Sequence, residues 1–107
     1  MATDKALPTS VNEFRSKYPE IWERFNQLGD LCHEAGPLDA KTRALVKLAL
    51  SVGAGLEGAT HSAVRKARAA GGSANEMDHV ALLAITTLGF PSAMRAMAWI
   101  GDLQKPE

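Results

Sequence analysis

Glu57, His61 and Arg65, spaced four residues apart, carry the groups best suited to chemistry in this 107-residue chain. Residues four apart on a helix are neighbours, so a helix here stacks a carboxylate, an imidazole and a guanidinium along one stripe. The glutamate can hold one imidazole nitrogen, which fixes the tautomer and raises the basicity of the other, as a general base requires. Glu57 and His61 are therefore the candidate catalytic residues. Arg65 continues the stripe as the candidate substrate-binding residue, offering a fork to a carboxylate. The same residues also make an ordinary solvated ladder, with Glu57 paired to His61 and to nearby Arg68, worth only about 0.3–0.5 kcal/mol per pair. Both readings stand.

The other chemical groups are sparse. Glu57 and His61 offer two metal ligands, and His79 on the following segment is a candidate third, but no Cys/His cluster supports a metal site. No metal and no cofactor are assigned. Cys32 is the one cysteine, so the chain cannot close an internal disulfide or run a two-cysteine redox cycle. His33 follows it, yet adjacent helical residues point about 100° apart, and a small buried apolar residue near a helix end is the simpler expectation for Cys32. Met94, Met97 and Trp99 read as core or interface.

The elements that must position these groups are helical. Alanine and leucine are common, and hairpin signals of the Asn-Gly or Asp-Gly type are absent. Ser10-Val11-Asn12-Glu13 reads as a capping box opening a first helix, and Pro19 restarts it toward Ala35 with Phe14, Ile21, Trp22, Phe25, Leu28 and Leu31 as its apolar stripe. Asp39 is the expected N-cap of a second helix, apolar around most of its circumference and so expected to be central. Gly53 and Gly55 break it. Leu56 to Ala70 forms a third helix, closed by Gly71-Gly72, with Leu56, Ala59, Ala63, Ala67 and Ala70 on the side that meets a neighbour. A capping box at Ser73-Ala74-Asn75-Glu76 opens a fourth, and Pro91 a fifth. The fold class is all-α, a compact bundle of about five to six helices forming one domain over residues 1–107.

Charge and length exclude several functions. Twelve basic and twelve acidic residues cancel, so no net field gathers nucleic acid. The first eight residues hold no apolar stretch suited to a signal peptide, and a lone cysteine fits a reducing compartment, so the expected location is the cytoplasm. Val80 to Ile100 is about as long as a membrane span, but Gly89-Phe90-Pro91 interrupts it and Arg95 would meet hydrocarbon. No membrane partner is expected.

Leu38-Asp39-Ala40-Lys41-Thr42-Arg43-Ala44-Leu45, the apolar helix after it, the glycine-broken turn, the helix ending at Gly71 and the late Gly89-Phe90-Pro91-Ser92-Ala93 together resemble the carboxymuconolactone decarboxylase family, which includes the alkylhydroperoxidase D-like proteins. The likeness runs from about Pro19 to Trp99. It implies an all-α fold assembled as trimers or hexamers, with members acting as thiol peroxidases or lactone decarboxylases. The peroxidase branch carries Cys-x-x-Cys, a His four residues after the second cysteine, and a proton-relaying Glu on the helix before. A gap-free register from Arg43 to Gly71 puts that Glu at Ala44, the cysteines at Leu56 and Ala59, and the His at Ala63. Sliding by two to match His61 puts Ala54 and Glu57 at the cysteine positions. Either register lacks both thiols, so the resemblance is to a branch without the redox motif.

Three functions remain open. One is acid–base chemistry, of the decarboxylase or lactone type, on a small carboxylate held by the Glu57, His61, Arg65 stripe. A non-catalytic oligomeric binding protein is the second. The third is a one-cysteine peroxidase-like protein using Cys32. In each case a homo-oligomer, trimer or hexamer, is expected, because the second, fourth and fifth helices carry more apolar surface than one small chain can hide.

Overall fold

The computed structural model describes residues 9–104, and among these all regular structure is helical. Among the described residues there are six helices: α1 (Thr9–Lys17), α2 (Pro19–Glu34), α3 (Ala40–Ala54), α4 (Glu57–Ala69), α5 (Ala74–Leu88) and α6 (Phe90–Asp102). The chain is all-α, and among the described residues no helix is long and apolar enough to cross a membrane. The described residues divide into two compact units, one up to Pro37 and one from Leu38.

The first unit contains α1 and α2. Tyr18 separates them with φ −131° and ψ 63°, since the residue before a proline is pushed out of the helical region. Pro19 then opens α2, where its missing N–H costs nothing. The Tyr18 ring lies 5.3 Å from that of Phe14, and Trp22 lies 6.1 Å from Phe25, centroid to centroid. α1 is described from Thr9, one residue before Ser10, in line with a helix that opens near Ser10. Ile21, Phe25, Leu28 and Leu31 are all exposed, and Cys32 is exposed as well, contrary to the burial expected of it.

The second unit pairs α3 with α4 and α5 with α6, and the pairs meet through α3–α5 and α4–α6. The caps are those the sequence signals. Asp39 accepts a 2.8 Å hydrogen bond from the Thr42 N–H, and Gly55 ends α3 in the left-handed region at φ 69°. Ser73 and Glu76 form a complete capping box on α5. The core is built largely from small residues: Ala63 and Ala67 of α4, Ala81 and Ala84 of α5, Ala93 and Ala96 of α6, filled out by Leu48, Val52, Val64, Met77 and Ile100. Alanines allow close helix approach, and the few large side chains fill the remaining volume.

Two expectations about faces change. The buried side of α4 is Thr60, Ala63, Val64 and Ala67, while Leu56 and Ala59 are exposed. Thr60 tolerates full burial because its hydroxyl donates to the Leu56 carbonyl at 2.8 Å. In α3 only Leu48 and Val52 are buried, leaving Val46 and Leu50 outside, so that helix is covered on one face and is not central.

Candidate functional site

The turn between α3 and α4 decides where the chemical stripe begins. Gly55 reverses the chain, Leu56 is extended, and Glu57 is the first residue of α4. Burying Thr60, Val64 and Ala67 against the core turns His61, Arg65 and Arg68 to the flank of α4 that runs beside the end of α6. At the far end Gly71, at φ 93°, and Gly72 close the helix, with the Gly72 N–H bonded to the Ala67 carbonyl at 2.8 Å.

Two contacts tie this flank to α6. Arg68 Nη2 donates to the Leu103 carbonyl at 2.7 Å, and His61 Nε2 lies 3.1 Å from Asp102 Oδ2. The His61 side chain is 24% exposed and that of Asp102 46%, so the pair sits at the surface with the imidazole mostly covered. Arg68 therefore anchors α6 rather than pairing with Glu57. Glu57 is exposed, and one of its carboxylate oxygens lies within 4.8 Å of both the His61 and the Asp102 ligand atoms. Arg65 is half-buried one turn beyond His61.

The partner that holds His61 is Asp102, 41 residues further along the chain, where the spacing had offered Glu57. Nothing local in the sequence marks Asp102, because the pairing exists only once α4 and α6 pack. His79 is exposed on α5 and does not belong to this group; the third member is Asp102. On α6, Arg95 lies over the Trp99 ring at 5.1 Å from its centroid. Met94 is exposed, while Met97 and Trp99 are half-buried.

A model of the carboxymuconolactone decarboxylase family matches residues 19–102, most of the chain. The chain belongs to this family. No curated protein and no solved structure is significantly similar to it. As a carboxymuconolactone decarboxylase family protein it carries a single cysteine, on α2. The positions that the gap-free register gives to the peroxidase cysteines, Leu56 and Ala59, fall at the N-cap and in the first turn of α4, with no sulfur at either. The position it gives to the histidine, Ala63, is a core residue 7% exposed. In this family member the imidazole is at His61, two residues earlier and on the flank that meets α6.

Proposed function

We propose that this carboxymuconolactone decarboxylase family protein carries out acid–base chemistry on a small carboxylate or lactone, with His61 as the proton-transferring group. The observation behind the reading is the 3.1 Å contact between His61 Nε2 and Asp102 Oδ2. With Asp102 ionised, Nε2 carries the donated proton, and Nδ1 is left to exchange one with a substrate. Asp102 is then the positioning residue, holding the ring in its orientation. Glu57 adds a second negative charge on the same side. Arg65, one turn along α4, receives the substrate carboxylate.

For a decarboxylation the balance is simple. The bond to the departing carboxylate breaks, its electron pair passes into the unsaturated lactone, and the His61 imidazolium delivers a proton to carbon. Bulk solvent returns the proton to the ring, so one proton is taken up for each CO₂ released. This reading includes a trimeric or hexameric assembly and a reducing location such as the cytoplasm, which suits an unpaired exposed thiol.

The test is CO₂ release from carboxymuconolactone by the purified chain. Wild-type protein should turn over, and His61→Ala and Asp102→Asn should each lower the turnover number by at least about tenfold, the lower range for losing positioned acid–base catalysis. Full activity in His61→Ala removes His61 from the role. The exposure of Glu57 and Asp102 supports a second reading, a non-catalytic oligomeric binding protein. Saturable carboxylate binding without turnover by the wild type would favour it.

A further inference from the structure

We infer that Glu57, His61 and Asp102 form a binding site for a divalent transition-metal ion, with zinc the best match to the donors. One ligand atom from each residue lies within 4.8 Å of the others. A nitrogen and two carboxylate oxygens make a borderline donor set, suited to Zn²⁺ and unlike the all-oxygen shells of Ca²⁺ or Mg²⁺.

The distances decide how much must move. Zinc bonds of about 2.0–2.1 Å at tetrahedral angles place two ligand atoms roughly 3.3 Å apart. His61 Nε2 and Asp102 Oδ2 are already 3.1 Å apart, so they need to open by only a few tenths of an ångström. Glu57 has to close a gap of roughly 1.5 Å at most, which an exposed glutamate on the first turn of α4 can do by rotamer change.

The local electrostatics favour a cation. Asp102 is the last residue of α6, where the helix dipole opposes a carboxylate, and the last turn of α6 holds no basic residue. Glu57 brings a second carboxylate to within 4.8 Å of it, so the two repel each other unless a positive charge stands between them. Arg65 and Arg68 lie further along the same flank of α4, so it is the two carboxylates and the imidazole at short range, and not the net charge of the flank, that favour the ion. The frame around the site is firm on both sides. Arg68 bonds to Leu103 at 2.7 Å beside Asp102, and Thr60 and Ile100, next to or near the ligands in sequence, are fully buried. With Glu57 and Asp102 exposed, the ion can enter from solvent and keep water in its remaining coordination position.

This inference does not rest on the acid–base reading. Zinc takes the position that the Nε2 proton holds in the His61–Asp102 contact, so the two are alternative occupants of one place.

The test is calorimetric titration of Zn²⁺ alone into Cys32→Ser protein, a background that removes the exposed thiol as a competing ligand. One ion should bind per chain. His61→Ala and Asp102→Asn should each weaken binding by at least about tenfold, the lower end for disturbing even an outer-shell partner of a metal. His79→Ala, remote from the trio, should leave it unchanged. Co²⁺ in place of Zn²⁺ should give visible absorption that His61→Ala abolishes. Circular dichroism establishes that each variant is folded, and Asp102→Asn, altered at an exposed helix end, keeps the test open if His61→Ala is not. Absence of saturable Zn²⁺ binding overturns the site, as does binding equal to that of the Cys32→Ser background in both ligand variants.

Discussion

His61 is mostly covered yet bonded to a carboxylate that is half open to solvent, a balance by which the proposed acid–base role can be told from a structural one. Partly exposed ion pairs contribute at most about 1 kcal/mol, because water screens them and side-chain entropy opposes them. His61→Ala should therefore lower stability by less than about 1 kcal/mol in urea denaturation, while on the proposed acid–base role it should lower turnover by about tenfold or more. A larger stability loss would mean that the imidazole is a packing group. Cys32 is the other residue with reactive potential. Exposed and without an internal partner, it can be oxidised to a sulfenic acid but cannot form an intramolecular disulfide. Repeated peroxide reduction through a dithiol cycle is not expected. Peroxide turnover that is lost in Cys32→Ser would revive the one-cysteine peroxidase reading, and turnover that survives it would show that the chemistry lies elsewhere.

At the scale of elements, the start of α5 links caps to pH dependence. The Ser73 N–H donates to the Glu76 carboxylate and Lys41 pairs with it at 2.9 Å, and together these hold the Glu76 pKa below its ordinary value of 4.5. Asp39 is held below 3.8, chiefly by its hydrogen bonds from Thr42. A carboxylate whose pKa is depressed on folding adds stability above its unfolded value and loses it as pH falls through the folded one. Lys41 is raised above 10.5, first by its hydrogen bond to Glu76, so its contribution is complete below that value and is lost as pH rises through the raised one. Urea midpoints measured from about pH 7 down to pH 3 should therefore fall on the acid side, and Glu76→Gln should flatten that fall. Ser73→Ala, which removes the cap, should cost about 1 kcal/mol near neutrality. At the end of α4 a Cβ on Gly72 would stand 2.9 Å from the Ala67 carbonyl oxygen, in the backbone and unable to rotate away. Gly72→Ala should destabilise by more than about 1 kcal/mol, with Gly29→Ala, where nothing lies within 4 Å, as the comparison.

At the scale of the whole molecule, the apolar face formed by α3 and α5 is the feature that a lone chain leaves unused. Leu50 is 66% exposed and Leu83 59%, and together with the exposed Leu88 they line one groove between the two helices. Contiguous apolar surface of this kind marks association sites. The chain is expected to assemble with copies of itself as a trimer or hexamer, and light scattering at micromolar concentration should return a multiple of 11.4 kDa. Leu50→Asp with Leu83→Asp should shift that mass toward the single chain while preserving the helical content. A monomer in the wild type would overturn the expectation.

What the amino-acid order settled is what depends on near neighbours. The break at Tyr18-Pro19, the Asp39 cap, the left-handed Gly55, the Ser73–Glu76 box and the Gly71-Gly72 stop each involve groups within about one helical turn, so their chemistry is readable where it stands. The same holds for the alignment of His61 with Arg65. Burial was less legible, because alanine suits a core, a close helix crossing or an exposed face equally well. Which face of α4 turned inward was decided by packing that put Thr60 and Val64, not Leu56 and Ala59, against the other helices. The partner of His61 depended on tertiary structure altogether. Asp102 reaches it across 41 residues only because α4 and α6 pack side by side and Arg68 fastens Leu103, and no periodicity within either helix encodes that meeting.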